Sequence, residues 1–205
     1  MIIKDKSLAI RYLAVTAMLG AVSFVLQLLE FPIPFLIPFI IQFDFSDLPA
    51  LIASFSMGPI SGVAVALIKN VLHLIVFPSQ TGGVGELANF LLTSIFVGTA
   101  GIVYLFQKNR SGALIGSLTG AFVMSVVSVP VNLFITYPIY YIVAMPEEAV
   151  LKLYQDIFPF VSNIYTCLWF FNAPFNLFKG LVVTLITFLI YKRISPLIKG
   201  KKTKK

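Results

Sequence analysis

The stretch PFNLFKGLVVTLITFLIY, residues 174–191, contains one charged side chain, Lys179, in an otherwise uncharged and largely apolar run. A helix that crosses a hydrocarbon core of about 30 Å needs roughly 20 apolar residues. The stretch therefore predicts a membrane-spanning helix that begins near Pro174, with Asn172 able to cap it. A lysine inside such a helix costs about 2.5–3.5 kcal/mol on insertion scales, so its presence needs a structural or functional reason.

Five more apolar stretches lie between this helix and the N-terminus, at 8–29, 45–57, 60–77, 86–106 and 112–141. The whole chain is 59% hydrophobic and 11% charged, against about 45–50% and about 25% in soluble domains. We therefore predict an all-α membrane protein, with residues 1–205 forming a single bundle of six transmembrane helices. The second stretch is short and the fifth is long, so one of them is expected to be partly re-entrant or partly outside the membrane.

The segments between the stretches predict where the chain leaves the bundle. FPIPFLIPF, residues 31–39, holds three prolines that cannot share one helix interior, so it predicts an ordered but non-helical first loop. Gly58-Pro59 predicts a tight turn. Residues 145–163 are richer in charge and predict a surface loop that carries an amphipathic helix.

The basic residues predict the orientation in the cell membrane. Of the 15 Lys and Arg, all except Lys69, Lys152 and Lys179 fall in residues 1–11, 107–111 and 192–205. These segments share one side of a six-helix bundle, and basic residues concentrate on the cytoplasmic side. Both termini are therefore predicted to be cytoplasmic, and the basic tail 192–205 is explained by topology and anionic lipid rather than by nucleic acid.

Polar side chains lie at one predicted depth, near the outer ends of four helices. They are Asp47, Glu86, Asn89, Asn132, Asn176 and Lys179. Amides with a few charges among aromatic and aliphatic residues suit a neutral polar ligand with a flat ring. The other interpretation is structural, with Lys179 paired to Glu86 or Asp47 to hold helices together.

Lys69 and His73 are interpreted as structural. Lys69 is predicted to pair within the bundle, and a lone histidine without a partner pattern is not expected to bind a metal. The sequence has no Walker A pattern and no nucleophile-elbow motif, so no catalytic residue is assigned. An intramembrane enzyme with Lys179 or His73 as base, and a purely structural subunit, are the alternatives from other classes.

Four motifs carry a resemblance to a known family. They are DLPA at 47–50, GVAVALIKN at 62–70, TGGVGELANF at 81–90 and PFNLFKG at 174–180. Over nearly the whole chain the sequence resembles the substrate-binding S components of energy-coupling-factor (ECF) vitamin transporters, and the riboflavin-specific members most. S components for other vitamins, such as thiamin or pantothenate, share the six-helix pattern.

The resemblance implies a transport subunit that binds a vitamin at the outer side and joins a transmembrane T component and two cytosolic ATPases. It implies no cofactor; the transported ligand would be riboflavin, with FMN as a further candidate. Asn132, Asn176 and Lys179 would hydrogen-bond the ligand, and the first loop, with Leu48 and Ala50 near its end, would cover it. Asp47, Glu86 and Asn89 are further candidates. The small residues Ala14, Ala17 and Ala21 would contact the T component.

Overall fold

The computed structural model describes residues 6–38, 40–77, 79 and 81–199, and the basic tail from 200 onward lies outside the described residues. Its helices are α1 (Lys6–Gln27), α2 (Asp47–Met57), α3 (Pro59–Val76), α4 (Val84–Phe106), α5 (Arg110–Val131), α6 (Tyr137–Val143), α7 (Glu147–Gln155), α8 (Ile164–Cys167) and α9 (Ala173–Lys199). Two strands, β1 (Phe31–Pro32) and β2 (Gln42–Phe43), pair antiparallel and close the proline-rich loop. The described part of this loop is mostly non-helical, as predicted.

Two π-helical turns each join two of these helices into one longer, continuous helix. The first π turn, Asn132–Thr136, joins α5 to α6, and the second, Leu168–Asn172, joins α8 to α9. Within the described ranges, five helical segments are long and apolar enough to cross a membrane: Ala9–Gln27, Pro59–Val76, Val84–Phe106, Arg110–Val143 and Ile164–Ile190. The second predicted span, 45–57, corresponds to α2, which is apolar but shorter than these five.

The last predicted span starts in the wrong place. The prediction began the helix near Pro174 with Asn172 as a cap, whereas helical structure starts at Ile164 and runs through the second π turn. Asn163 is the residue that caps it, accepting a bond from the Thr166 backbone N–H. Each π turn ends two residues before a proline, Pro138 or Pro174. The wider turn makes room for a ring that would otherwise clash with the carbonyl four residues earlier.

Glycines let the long helices approach closely. A Cβ added to Gly116 or Gly120 of α5 would lie 2.6 Å from the Ala100 carbonyl oxygen or 2.5 Å from that of Phe96, both in α4. On α1, a Cβ at Gly20 would lie 2.6 Å from Ile68 of α3. Lipid gives membrane helices no hydrophobic driving force to associate, so close packing at small residues stabilises their contacts instead.

Buried side chains form two larger clusters and a third, small one of Ile37, Phe43 and Phe175. The first includes Leu51, Phe55, Val97 and Met124 and joins α2, α4, α5 and α9. The second surrounds α6, α7 and α8 and includes Tyr154 and Phe171. We call the end that carries the proline-rich loop and α7 the loop end. The predicted amphipathic helix in 145–163 is α7.

Candidate ligand cavity

A partly open cavity of about 710 Å³ lies at the loop end of the bundle. The C-terminal ends of α1 and α3, the start of α2 and α4, and both π turns contribute to its wall. Six residues that the sequence singled out line it together: Asp47, Glu86, Asn89, Asn132, Asn176 and Lys179. Drug-sized ligands occupy cavities of roughly 300–1,000 Å³, so this one has room for a molecule with several rings.

Leu48 and Ala50, two of the predicted ligand residues, are not among the residues that line this cavity. Both are buried in the core cluster around α2. Leu48 lies about 100° around the helix from Asp47, and Ala50 lies almost one turn deeper in the bundle. The backbone carbonyl of Ala50 packs against Gly62 of α3, so this part of α2 serves helix packing.

Lys179 is held by two carboxylates. Its Nζ lies 2.8 Å from Asp44 Oδ2 and 3.6 Å from Asp47 Oδ2. The prediction that it could pair with Asp47 is confirmed, but Asp44 is the closer partner. Glu86, the other predicted partner, pairs with His73 instead. Asp44 follows β2 directly, so this ion pair fastens the end of the proline-rich loop to α9.

Lys69 forms the second half of this buried cluster. Its Nζ lies 2.7 Å from Asp47 Oδ1, and Thr93 Oγ1 donates to the same oxygen at 2.7 Å. Lys69 is absent from the cavity wall, as its structural interpretation predicted. Two lysines and two aspartates balance, so the cluster has no net charge when all four are ionised.

Asp44 stays ionised despite its burial. Burial alone would raise the pKa of this carboxyl, but Lys179 and Lys69 hold the pKa well below its ordinary value of 3.8. The backbone N–H and the hydroxyl of Ser46 also donate to Asp44 Oδ1. A charged carboxylate at this position is what keeps Lys179 directed toward the loop.

His73 and Glu86 form a separate pair on the cavity wall. Their Nδ1 and Oε1 atoms are 3.0 Å apart, and Ser79 donates to Glu86 Oε2 at 3.0 Å. The pair agrees with the interpretation of His73 as structural. Among the described residues, no group of three or more His, Cys, Asp or Glu is arranged to hold a metal.

The amides on the wall have hydrogen-bonding groups to spare. The Asn176 Nδ2 donates to the Asn172 backbone carbonyl at 2.9 Å, which leaves Asn176 Oδ1 toward the cavity. The Asn89 Oδ1 lies 3.1 Å from Thr93 Oγ1, and the Asn89 Nδ2 makes no hydrogen bond among the described residues. The side chain of Asn132 makes no hydrogen bond within the described part of the chain. Such groups are costly in the apolar interior unless a ligand or water pairs with them.

Several wall residues were not predicted from the sequence. They are Gln27, Glu30, Asp44, Thr136, Tyr137 and Asn172. Three of these lie in or beside the π turns, which occur often at functional sites. The spacing of Pro138 and Pro174 within long apolar stretches was the pattern that could have indicated them.

Three comparisons with known proteins agree. The model of the substrate-specific component of ECF transporters matches residues 11–191. The chain belongs to this family. The riboflavin transporter RibU of Staphylococcus aureus is 34% identical over 183 residues, or 89% of either chain. The riboflavin transporter FmnP of Bacillus subtilis is 32% identical over 196 residues, or 95% of this chain and 97% of the relative.

A solved structure has the same fold. It is described as the S component of a bacterial ECF transporter and superposes with a TM-score of 0.70 at 32% identity, covering 92% of this chain and 97% of the other. Members of this family are transport subunits, so the enzymatic alternative is not favoured.

Ala14, Ala17 and Ala21, the predicted contact residues, are exposed on α1. Their side of α1 lies next to the one that carries Gly20, which packs against Ile68 of α3. The face that carries the three alanines is therefore available in this chain for a lipid or protein contact.

Proposed function

We propose that this chain is the high-affinity riboflavin-binding subunit of an ECF importer. The curated relatives, named riboflavin transporters, cover nearly its full length. The observation that carries the proposal is the set of spare amide groups on the wall of one cavity, at Asn89, Asn132 and Asn176. A flavin ring presents carbonyl acceptors and an imide N–H, so amides can match both kinds of group.

The charges of the cavity favour a neutral ligand. Lys179 and Lys69 are neutralised by Asp44 and Asp47, so neither offers a free positive charge for a phosphate. Glu30 and Glu86 add carboxylates to the wall. We expect FMN, with its phosphate, to bind more weakly than riboflavin because an uncompensated anion would face these carboxylates.

The flat ring would be held by apolar wall residues. Phe175, Tyr137, Leu92 and Met124 line the same cavity as the amides. Aromatic and sulfur-containing side chains bury large flat surfaces well. This combination of apolar walls with a few polar groups is typical of sites for small organic ligands.

Delivery would use the family's energising module. We propose a six-helix arrangement in the cell membrane, in which α2 counts as the short second span, the cavity faces outward and both termini are cytoplasmic. The distribution of Lys and Arg supports this orientation. A T component would contact the exposed alanines of α1, and two ATPase subunits would supply the energy, because the chain has no Walker A pattern of its own.

Purification tests the proposal directly. The protein from riboflavin-containing medium should be yellow, and stripped protein should quench flavin fluorescence on titration. Asn176→Ala should weaken this binding, whereas Lys152→Met, at an exposed position of α7, should not. Colourless protein that binds thiamin or pantothenate, and not riboflavin, would overturn the riboflavin assignment.

A further inference from the structure

The helix α7 buries a tyrosine behind the cavity wall. Tyr154 is fully buried although α7 lies in the connection between two membrane-spanning segments. Its ring lies against Phe171, with centroids 6.1 Å apart, and Phe171 stacks on Phe158 at 4.2 Å. Tyr154 itself is absent from the cavity wall.

The Tyr154 hydroxyl joins two residues that are on the wall. The Asn172 Nδ2 donates to this hydroxyl, and the hydroxyls of Tyr154 and Tyr137 are 2.9 Å apart. Asn172 ends the second π turn and Tyr137 follows the first. One side chain of α7 therefore connects both irregular turns from behind.

These hydrogen bonds determine which polar group of Asn172 remains for a ligand in the cavity. Because the Asn172 Nδ2 is used by Tyr154, the carboxamide is left with its Oδ1, which makes no hydrogen bond within the described residues. The Tyr154 hydroxyl accepts a hydrogen bond from Asn172 and shares a second one with the Tyr137 hydroxyl, in which either oxygen can be the donor. Asn172 thus presents its Oδ1 to the cavity as an acceptor.

We propose that Tyr154 is a positioning residue that holds Asn172 as a hydrogen-bond acceptor for an N–H or O–H donor of the ligand. The inference rests on the proposed riboflavin function. Riboflavin has two sources of such a donor, the imide N–H of its ring and the hydroxyls of its ribityl chain. Without the Tyr154 hydroxyl, the Asn172 carboxamide is free to rotate and present its N–H₂, which repels a donor instead of accepting from it.

Binding of three ligands shows whether the ring N–H or a ribityl hydroxyl is the donor to Asn172. Riboflavin has both donors, N3-methylriboflavin lacks the ring N–H, and lumiflavin lacks the ribityl hydroxyls. Tyr154→Phe keeps the ring packing and should weaken riboflavin binding by about tenfold, since one hydrogen bond contributes roughly 0.5–1.5 kcal/mol. For the analogue that lacks the donor paired with Asn172, Tyr154→Phe and the unaltered protein should bind equally.

A structural defect would give a different pattern. It would weaken all three ligands by one factor, and that result would overturn the proposal, as would unchanged riboflavin binding in Tyr154→Phe. Asn172→Ala should lose the same discrimination, and adding Tyr154→Phe to it should change nothing further. Tyr165→Phe, at an exposed tyrosine away from the wall, is the matched control.

Riboflavin binding by the unaltered protein distinguishes failure of the proposed function from failure of the role of Tyr154. If it does not bind riboflavin, the proposed function fails. If it binds riboflavin and the variants do not discriminate between the analogues, only the role of Tyr154 fails. Should Tyr154→Phe not fold, Asn172→Ala decides alone, because equal weakening of all three ligands would overturn the acceptor role.

Discussion

The ammonium group of Lys179 lies 2.8 Å from the Asp44 carboxylate, across 135 positions of the chain. The pair ties α9 to the end of the proline-rich loop, and both side chains are buried. Because Asp47 also lies 3.6 Å from Lys179, removal of one partner leaves an unbalanced charge in a cluster of four. The stability of the loop and the charge of the cavity therefore depend on the same two residues.

Asp44→Asn should destabilise the protein strongly. It leaves Lys69 and Lys179 with Asp47 alone, and breaking a buried pair in this way costs about 3–5 kcal/mol. Lys179→Met should cost a similar amount by leaving Asp44 unpaired. The double variant Asp44→Asn/Lys179→Met should recover much of the loss, because no net charge remains buried.

Thermal unfolding of the ligand-free protein in detergent measures these effects. Lys152→Met removes an exposed lysine and is the matched control. If the double variant lost as much stability as the two single variants added together, the ion pair would not be the cause.

Glu30 should make stability depend on pH. It lies on the cavity wall, and burial raises its pKa above the ordinary value of 4.5. The folded state then holds this proton more tightly than the unfolded state, so stability falls as the pH rises from about 4.5 through the raised pKa. Glu30→Gln should remove this loss.

The melting temperatures of the two proteins, taken from pH 4 to pH 8, check this expectation. Glu30→Gln should be the more stable protein at neutral pH, and the difference should vanish at the acid end. Glu148→Gln, at an exposed position of α7, should leave the profile unchanged. A difference that grew on acidification would contradict the raised pKa.

The residues on long helices could be predicted to meet, because helix ends at one depth converge in any bundle. Asp47, Glu86, Asn89 and Asn132 were found in this way. Asp44 could not be, since it lies in a loop whose path is set by β1–β2 pairing and by aromatic contacts such as Phe43 with Phe175, centroids 6.2 Å apart. Loop paths depend on tertiary contacts that no local pattern encodes.

The two π turns were also not predicted from the sequence. The sequence predicts a helix start at Pro174, because proline is common in the first turn, but the widened turn before it allows the helix to continue from Ile164. This difference matters for the site. It moves Asn172 from a cap at the helix end to a wall residue one turn before Asn176.

The alanines of α1 should be needed for assembly and not for ligand binding. Ala17→Leu/Ala21→Leu adds bulk to an exposed face that does not line the cavity. Overpacking of a close helix contact costs about 1–3 kcal/mol, so association with the T component should weaken by roughly tenfold.

Copurification of the module with this chain measures the association, and flavin titration of the isolated chain measures binding. Ala144→Leu, an exposed alanine at the end of α6, is the matched control for the substitution. Unchanged copurification would place the T component on another face.

Asn132→Leu should separate stability from binding. The Asn132 side chain is buried on the cavity wall and makes no hydrogen bond within the described residues, so its loss breaks no internal bond. Removal of an unpaired polar group should leave the melting temperature of ligand-free protein unchanged or higher, while riboflavin affinity falls by about 10-fold to 100-fold, or roughly 1–3 kcal/mol.

Asn70→Leu should have the opposite effect on stability and on affinity. Asn70 is off the wall, donates to the Ala66 carbonyl at 2.8 Å and accepts from Gln27 at 3.5 Å, so its loss should lower the melting temperature and change affinity little. If Asn132→Leu lowered stability and kept full affinity, the spare amide would serve the fold and not the ligand.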